Sequence, residues 1–151
     1  MTVRVQEADF DIGAELASLT AGNTAVGGLG VFVGLVRDVA DGTGVSALTL
    51  EHYPGMTEKA LEGIEAEARD RWPLEDTLII HRVGRMLPGD NIVLVACTSA
   101  HRQAALDATT FLIDWLKTKA PFWKREETDQ GERWVDARES DDQAAARWGA
   151  P

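Results

Sequence analysis

The apolar residues Ala104, Ala105, Ala108, Phe111, Leu112, Trp115 and Leu116 recur at steps of three and four. That spacing puts them on one stripe of an α-helix and predicts a long helix over 100–119. Pro121 ends it, because proline lacks an N–H and biases the residue before it towards extended backbone. A helix of this length with a single apolar stripe cannot stand alone in water. Its stripe must be buried against a sheet or another helix, so the rest of the chain has to supply that surface.

The remaining patterns supply it. Residues 25–37, AVGGLGVFVGLVR, form an apolar run rich in Val and Gly, which predicts a strand whose glycines permit a bulge or a close backbone approach. A loop with Asp41-Gly42 follows over 38–44. Alternation of Leu48, Leu50 and His52 with Thr49, Glu51 and Tyr53 predicts a second strand, stopped at Pro54-Gly55. Met56, Ala60, Leu61, Ile64 and Ala68 then recur at helical spacing with Glu58, Glu62 and Glu65 outside, giving an amphipathic helix that ends near Trp72-Pro73. Short β-branched runs at 78–83 and 92–97 are strands, joined by a turn-rich link containing Pro88-Gly89-Asp90. After the long helix come an extended piece at 122–127 and a short one at 134–135. Residues 12–19 are weakly amphipathic. The class expected is α+β: a split βαβ layout, with an antiparallel or mixed sheet, helices packed on one face and a small additional β subdomain. One domain over 1–151 is expected, with 136–151 a polar tail that could be helical.

Composition narrows the function classes. A net charge of −10 repels the phosphate backbone of nucleic acid, so neither nucleic acid nor membrane is an expected partner, and no stretch approaches the ~20 apolar residues of a spanning helix. Nothing in MTVRVQEADF marks export, so a cytoplasmic location is expected. The single cysteine, Cys97, excludes an internal disulfide and a cysteine zinc cage, and His52, His81 and His101 are too widely spaced to form a ligand motif. No metal and no cofactor is expected.

Against that acidic background the stretch 81–126 carries seven cations and four carboxylates, a net +3. His101 and Arg102 sit in the first turn of the long helix, where the helix dipole disfavours cations and a bound anion would compensate. Lys117 and Lys119 lie at its other end, and Lys124-Arg125 follow the Pro121 bend, which returns a second basic pair towards the first. Repulsion within such a cluster favours a neutral amine able to move a proton. Arg37 ends an apolar strand at a Gly-containing loop, a common place for a ligand contact. Trp123, beside these lysines, could wall a flat heterocycle. Packing is the simpler role for His52, His81 and Cys97.

Several long strings resemble the catalytic (large) subunit family of molybdopterin synthase: FVGLVRD at 32–38, LEHYPGMTEKAL at 50–61, EARDRWPL at 67–74, IHRVGRMLPGD at 80–90, TSAHRQAA at 98–105 and DWLKTKAPFWKRE at 114–126. The resemblance implies an enzyme, a sulfurtransferase. A small ubiquitin-like partner carries a C-terminal Gly-Gly thiocarboxylate into the large subunit. Two sulfurs in succession then convert cyclic pyranopterin monophosphate into the dithiolene of molybdopterin. It also implies a homodimer at the core of a heterotetramer. The family's substrate-binding positions fall on Leu35, Val36, Arg37, His101, Arg102, Lys117, Lys124, Arg125 and Glu126. Phe32 matches a family aromatic near the site, and Arg138 is a further candidate. Lys117 would be the chief catalytic residue and Lys124 its assistant. Leu35 departs from relatives that carry a basic residue there, which leaves a backbone contact at that position.

Arg102 and Lys117 are fifteen residues apart on one helix, hence ~22 Å along its axis. A compact pterin phosphate does not bridge that span, so a site shared across a homodimer is expected. Two other readings compete: a non-catalytic module for a phosphorylated or pterin ligand, and an RNA-binding sheet, which the charge opposes.

Overall fold

The computed structural model describes residues 2–135 and 139–149. Among them the patterns resolve into β1 (Thr2–Gln6), α1 (Ile12–Thr20), β2 (Gly28–Leu35), β3 (Val39–Ala40), β4 (Thr43–His52), α2 (Met56–Arg71), β5 (Leu74–Arg82), β6 (Gly84–Met86), β7 (Asn91–Ser99), α3 (Arg102–Lys119), β8 (Phe122–Thr128), β9 (Gly131–Val135) and α4 (Glu139–Ala146). The first sheet has the order β1-β5-β7-β2 and is mixed, with β1 parallel to β5 and the other pairs antiparallel. The second has the order β3-β4-β8-β9, with β6 added on β4. The α+β class, the mixed sheet and the additional β subdomain are thus as expected.

Period-two alternation gives the first sheet two apolar faces. Val93, Val95 and Cys97 of β7 and Ile79 of β5 meet Leu61, Ile64 and Ala68 of α2 and the whole stripe of α3 from Ala108 onwards. Leu94, Ala96, Leu78 and Ile80 point the other way, and there α1 covers them with Ile12, Leu16 and Leu19 behind Phe10. Helices therefore lie on both faces: α2 and α3 on the expected one, α1 on the opposite one. Asp11 caps α1 by accepting a hydrogen bond from the Ala14 N–H at 2.9 Å.

The C-terminal segment is tied to α3. Trp115 Nε1 donates to the Ala145 carbonyl at 3.3 Å, Trp148 Nε1 donates to Asp114 at 2.8 Å, and the Trp148 ring meets Trp72 and Phe111 edge-on. Among the described residues no helix is long and apolar enough to cross a membrane.

The glycines of β2 explain how α3 sits. A Cβ on Gly28 would meet Arg102 Cα at 3.1 Å, and one on Gly30 would stand 2.6 Å from Thr109 Oγ1 and against the Ala105 carbonyl. Backbone of strand and helix are in direct contact along this line. Gly30→Ala is expected to lower stability by about 2 kcal/mol through overpacking, read as a lower urea midpoint at unchanged m-value. Gly44→Ala, where a Cβ meets nothing within 4 Å, is the control and should leave the midpoint in place.

Candidate functional site

Strand β2 and helix α3 run the same way, with Gly28 against Arg102 and Gly30 against Ala105 and Thr109. Leu35, Val36 and Arg37, which follow, therefore lie towards the Lys117 end of α3. Two groups result, one at each end of the helix.

At the N-terminal end, His101 is the N-cap, in extended conformation and without a side-chain cap hydrogen bond, and no acidic residue occupies the first turn. Gly27, Ala100, His101, Arg102 and Gln103 line a shallow depression of about 470 Å³ there. The start of the helix, the Arg102 guanidinium and the His101 ring line it without a carboxylate, which suits an anion.

At the C-terminal end, Ala120 is extended and Pro121 turns the chain into β8. Phe122 pairs with His52 and Lys124 with Leu50, so these four share the inner face of the second sheet. That face packs Leu48, Leu50 and Met86 onto Val36, at the end of the first sheet. Lys124 thus leaves β8 on the same face as Phe122, and its side chain is exposed. Arg37 lines the neighbouring groove of about 740 Å³ with Val36, Asp38, Val39, Asp41, Gly42, Pro88 and Gly89.

Strand alternation separates Lys124 from Arg125, which the sequence reading grouped as one basic pair. Arg125 lies on the outer face, 3.8 Å from Glu132 and with its guanidinium 5.7 Å from the Trp134 ring. Trp123 shares that outer face, half-exposed beside Tyr53 with ring centroids 5.9 Å apart. Glu126 is buried and accepts from Arg133 Nε at 3.0 Å. Phe32 is half-buried against the main core, and Arg138 lies outside the described residues. Lys119 rests over Trp115, 5.7 Å from its ring.

Charge pairing distinguishes the remaining cations. Arg4, Arg71, Arg85, Arg133 and Arg147 each have a carboxylate partner. Among the described residues the side chains of Arg37, His101, Arg102 and Lys117 have no hydrogen bond or ion pair, and all four are exposed, as is Lys59 on α2, which stands between Glu58 and Glu62 in the sequence. Arg37, Arg102 and Lys117, three uncommitted charges with His101 beside Arg102, form a receptive surface for an anion in a chain of net charge −10. Cys97 offers no chemistry of its own: it is fully buried, and burial pushes its thiol up to about 12. Among the described residues no three His, Cys, Asp or Glu gather as metal ligands would.

The MoaE protein family model matches residues 5–119. The molybdopterin synthase catalytic subunit of Ralstonia nicotianae is 60% identical over 148 residues, covering 98% of this chain and 84% of that protein. The chain belongs to the MoaE family. Among solved structures it is similar to the molybdopterin biosynthesis MoaE protein of Burkholderia ambifaria, with a TM-score of 0.85, 57% identity and 99% of each chain covered. It is also similar to molybdopterin synthase from Staphylococcus aureus, with a TM-score of 0.81, 31% identity, and 88% of this chain and 96% of that one covered.

One residue of this MoaE chain that sequence reasoning set aside as packing stands at the lysine end. His81 closes β5, is 5% exposed, and stacks on Phe122 with centroids 3.9 Å apart and planes 18° from parallel. The sequence signal available was its position at the end of a strand in IHRVGR, which does not reveal a stacking partner forty residues away. Burial lowers the His81 imidazole to about 4, the hydrogen bond to the Arg82 carbonyl opposes this, and the charges of Lys124 and His52 reinforce it.

The folded state therefore binds this proton less well than the unfolded one, whose histidine titrates near 6.5. Stability tied to His81 is present above 6.5 and is lost as pH falls from there towards 4. Relative to wild type, His81→Phe should gain about 2 kcal/mol on going from pH 7 to pH 5, measured by urea unfolding of both proteins at the two pH values. No relative gain would show that His81 carries no such linkage.

Proposed function

We propose that this chain is the catalytic subunit of a molybdopterin synthase, a cytoplasmic enzyme of molybdenum cofactor biosynthesis. It takes cyclic pyranopterin monophosphate as substrate. Its sulfur arrives on the C-terminal Gly-Gly thiocarboxylate of a small ubiquitin-like partner. Each transfer forms one carbon–sulfur bond to the substrate in place of a carbon–oxygen bond, whose oxygen leaves as water or stays with the phosphate it esterified, and water breaks the bond between sulfur and the partner's acyl carbon, so that the tail leaves as a carboxylate. Two transfers give the dithiolene.

The observation that carries this reading is the set of uncommitted cations at both ends of α3 in a chain whose own thiol is buried and inert. Cations without sulfur suit a site that holds an anionic substrate and receives sulfur from outside. Lys117 is the chief catalytic residue, moving protons at the acyl carbon as sulfur departs, and Lys124 assists by offsetting negative charge. Arg37, His101 and Arg102 hold phosphate and pterin edges. Leu35 and Val36 contribute backbone. Glu126 keeps Arg133 and β9 beside Lys124, Arg125 does the same through Glu132, and Phe32 backs the site from the core.

The two halves come from two copies. Helix α3 is unbroken, so Arg102 and Lys117 of one chain stay ~22 Å apart. Strand β2 is an edge of its sheet with Leu29 and Val31 exposed, and Leu106 of α3 is exposed as well, an apolar margin that a second copy would cover. The homodimer then forms the core of a heterotetramer with a small subunit at each lysine end.

Mixing the protein with the thiocarboxylated partner and cyclic pyranopterin monophosphate should yield the dithiolene. Lys117→Ala should lower its formation by roughly 100-fold or more. Binding of substrate without any turnover by the intact protein would favour a non-catalytic pterin-binding module instead. A mixed dimer of Arg102→Ala and Lys117→Ala chains keeps one site with both residues intact, so it should recover about half of wild-type activity. Verified mixed dimers as inactive as their parents would overturn the shared site.

A further inference from the structure

We propose that His81 is a positioning residue for Lys124, acting through its stack on Phe122. The inference rests on the function proposed above, because it assigns a residue to the placing of a lysine in that site.

His81 belongs to β5 of the first sheet and Phe122 to β8 of the second, so their stacked rings join the two sheets. Phe122 and Lys124 are two apart on β8 and leave the same face of the strand. Whatever fixes the Phe122 ring therefore fixes the root of Lys124. The imidazole is itself pinned: its Nδ1 lies 2.8 Å from the Arg82 carbonyl oxygen, and since a carbonyl only accepts, Nδ1 carries the hydrogen. The Arg82 side chain is occupied elsewhere, donating to the carbonyls of Glu7 and Asn91.

The charged and titratable neighbours of the ring are Lys124 from β8 and His52 from β4. His52 is turned to Thr57, with Nδ1 and Oγ1 3.3 Å apart. A neutral His81 ring places no positive charge near Lys124, whereas a charged one would repel its ammonium. The strand that carries Lys124 is thereby held by packing between the two sheets.

The test uses the full complex with thiocarboxylated partner, and compares wild type with His81→Phe, His81→Ala and Phe122→Leu. Steady-state dithiolene formation is read alongside the ¹⁵Nζ resonance of Lys124, assigned with Lys124→Arg. His81→Phe keeps the stack, and should keep kcat within about threefold and leave the Lys124 resonance in place. His81→Ala and Phe122→Leu should each lower kcat by about tenfold or more with little change in KM, and shift the Lys124 resonance but not that of Lys117. Should His81→Ala fail to fold, Phe122→Leu carries the same comparison with the imidazole intact. A His81→Phe enzyme as defective as Phe122→Leu would overturn the proposal, as would wild-type kcat and an unmoved Lys124 resonance in Phe122→Leu. A wild-type complex that forms no dithiolene would count against the function, while the resonance comparison would still decide the positioning.

Discussion

The fold depends on one close contact, the seating of α3 in the glycine trough of β2. With no side chain at Gly28 or Gly30, the helix backbone rests directly on the strand, and Thr109 turns its hydroxyl to the Ala105 carbonyl at 2.7 Å within that contact. The stripe from Ala105 to Leu116 is then buried along its length, which fixes the helix against the sheet. The unbroken length of the helix sets the geometry of the site. One end delivers His101 and Arg102, the other Lys117, and Pro121 then launches β8 so that Phe122 packs between the sheets and Lys124 leaves the strand on the same face.

The same rigidity makes sense of how the charges are distributed. Exposed ion pairs such as Arg85 with Glu127 contribute little stability. Their effect is local: each cancels a cation that would otherwise compete for an anionic ligand. The inner face of the second sheet is treated likewise, since Arg133 is spent on Glu126 and on the Ala40 carbonyl. In a chain with ten excess negative charges, positive potential survives where carboxylates are kept away. Those places are the two ends of α3.

Much of this was legible in the sequence because it is periodic. The α3 stripe, the α2 stripe, the strands around Val33, Ile80 and Val95 and the stop at Pro121 all follow from spacing and from proline chemistry. Elements that were missed are short or sit at edges. Strand β1 has only Val3 and Val5 to declare it and is defined by its pairing with β5. Strand β6 is three residues inside a turn-rich link, recruited by β4. Asp41-Gly42 read as a loop, yet both residues have positive φ, 50° and 77°, and close the two-residue hairpin between β3 and β4. In the site, spacing located the cations but not their directions. Lys124 and Arg125 are neighbours in sequence and face opposite sides of β8, and His81 meets Phe122 through a packing of two sheets that no local pattern encodes.

A division of labour follows from where the polar chemistry stands. Cys97 lies under α3, in the tightest layer of the molecule, and exposing its sulfur would mean opening the contact on which the helix depends. A fold of this kind can offer fixed charge at the ends of its longest helix but cannot offer a mobile thiol at the same place. On the function proposed above, sulfur therefore has to travel on a partner's tail, and this chain's contribution is to be rigid. On the shared site proposed above, its cations must be in position before the tail arrives, because a site assembled from two copies would have no spare freedom with which to search for its substrate.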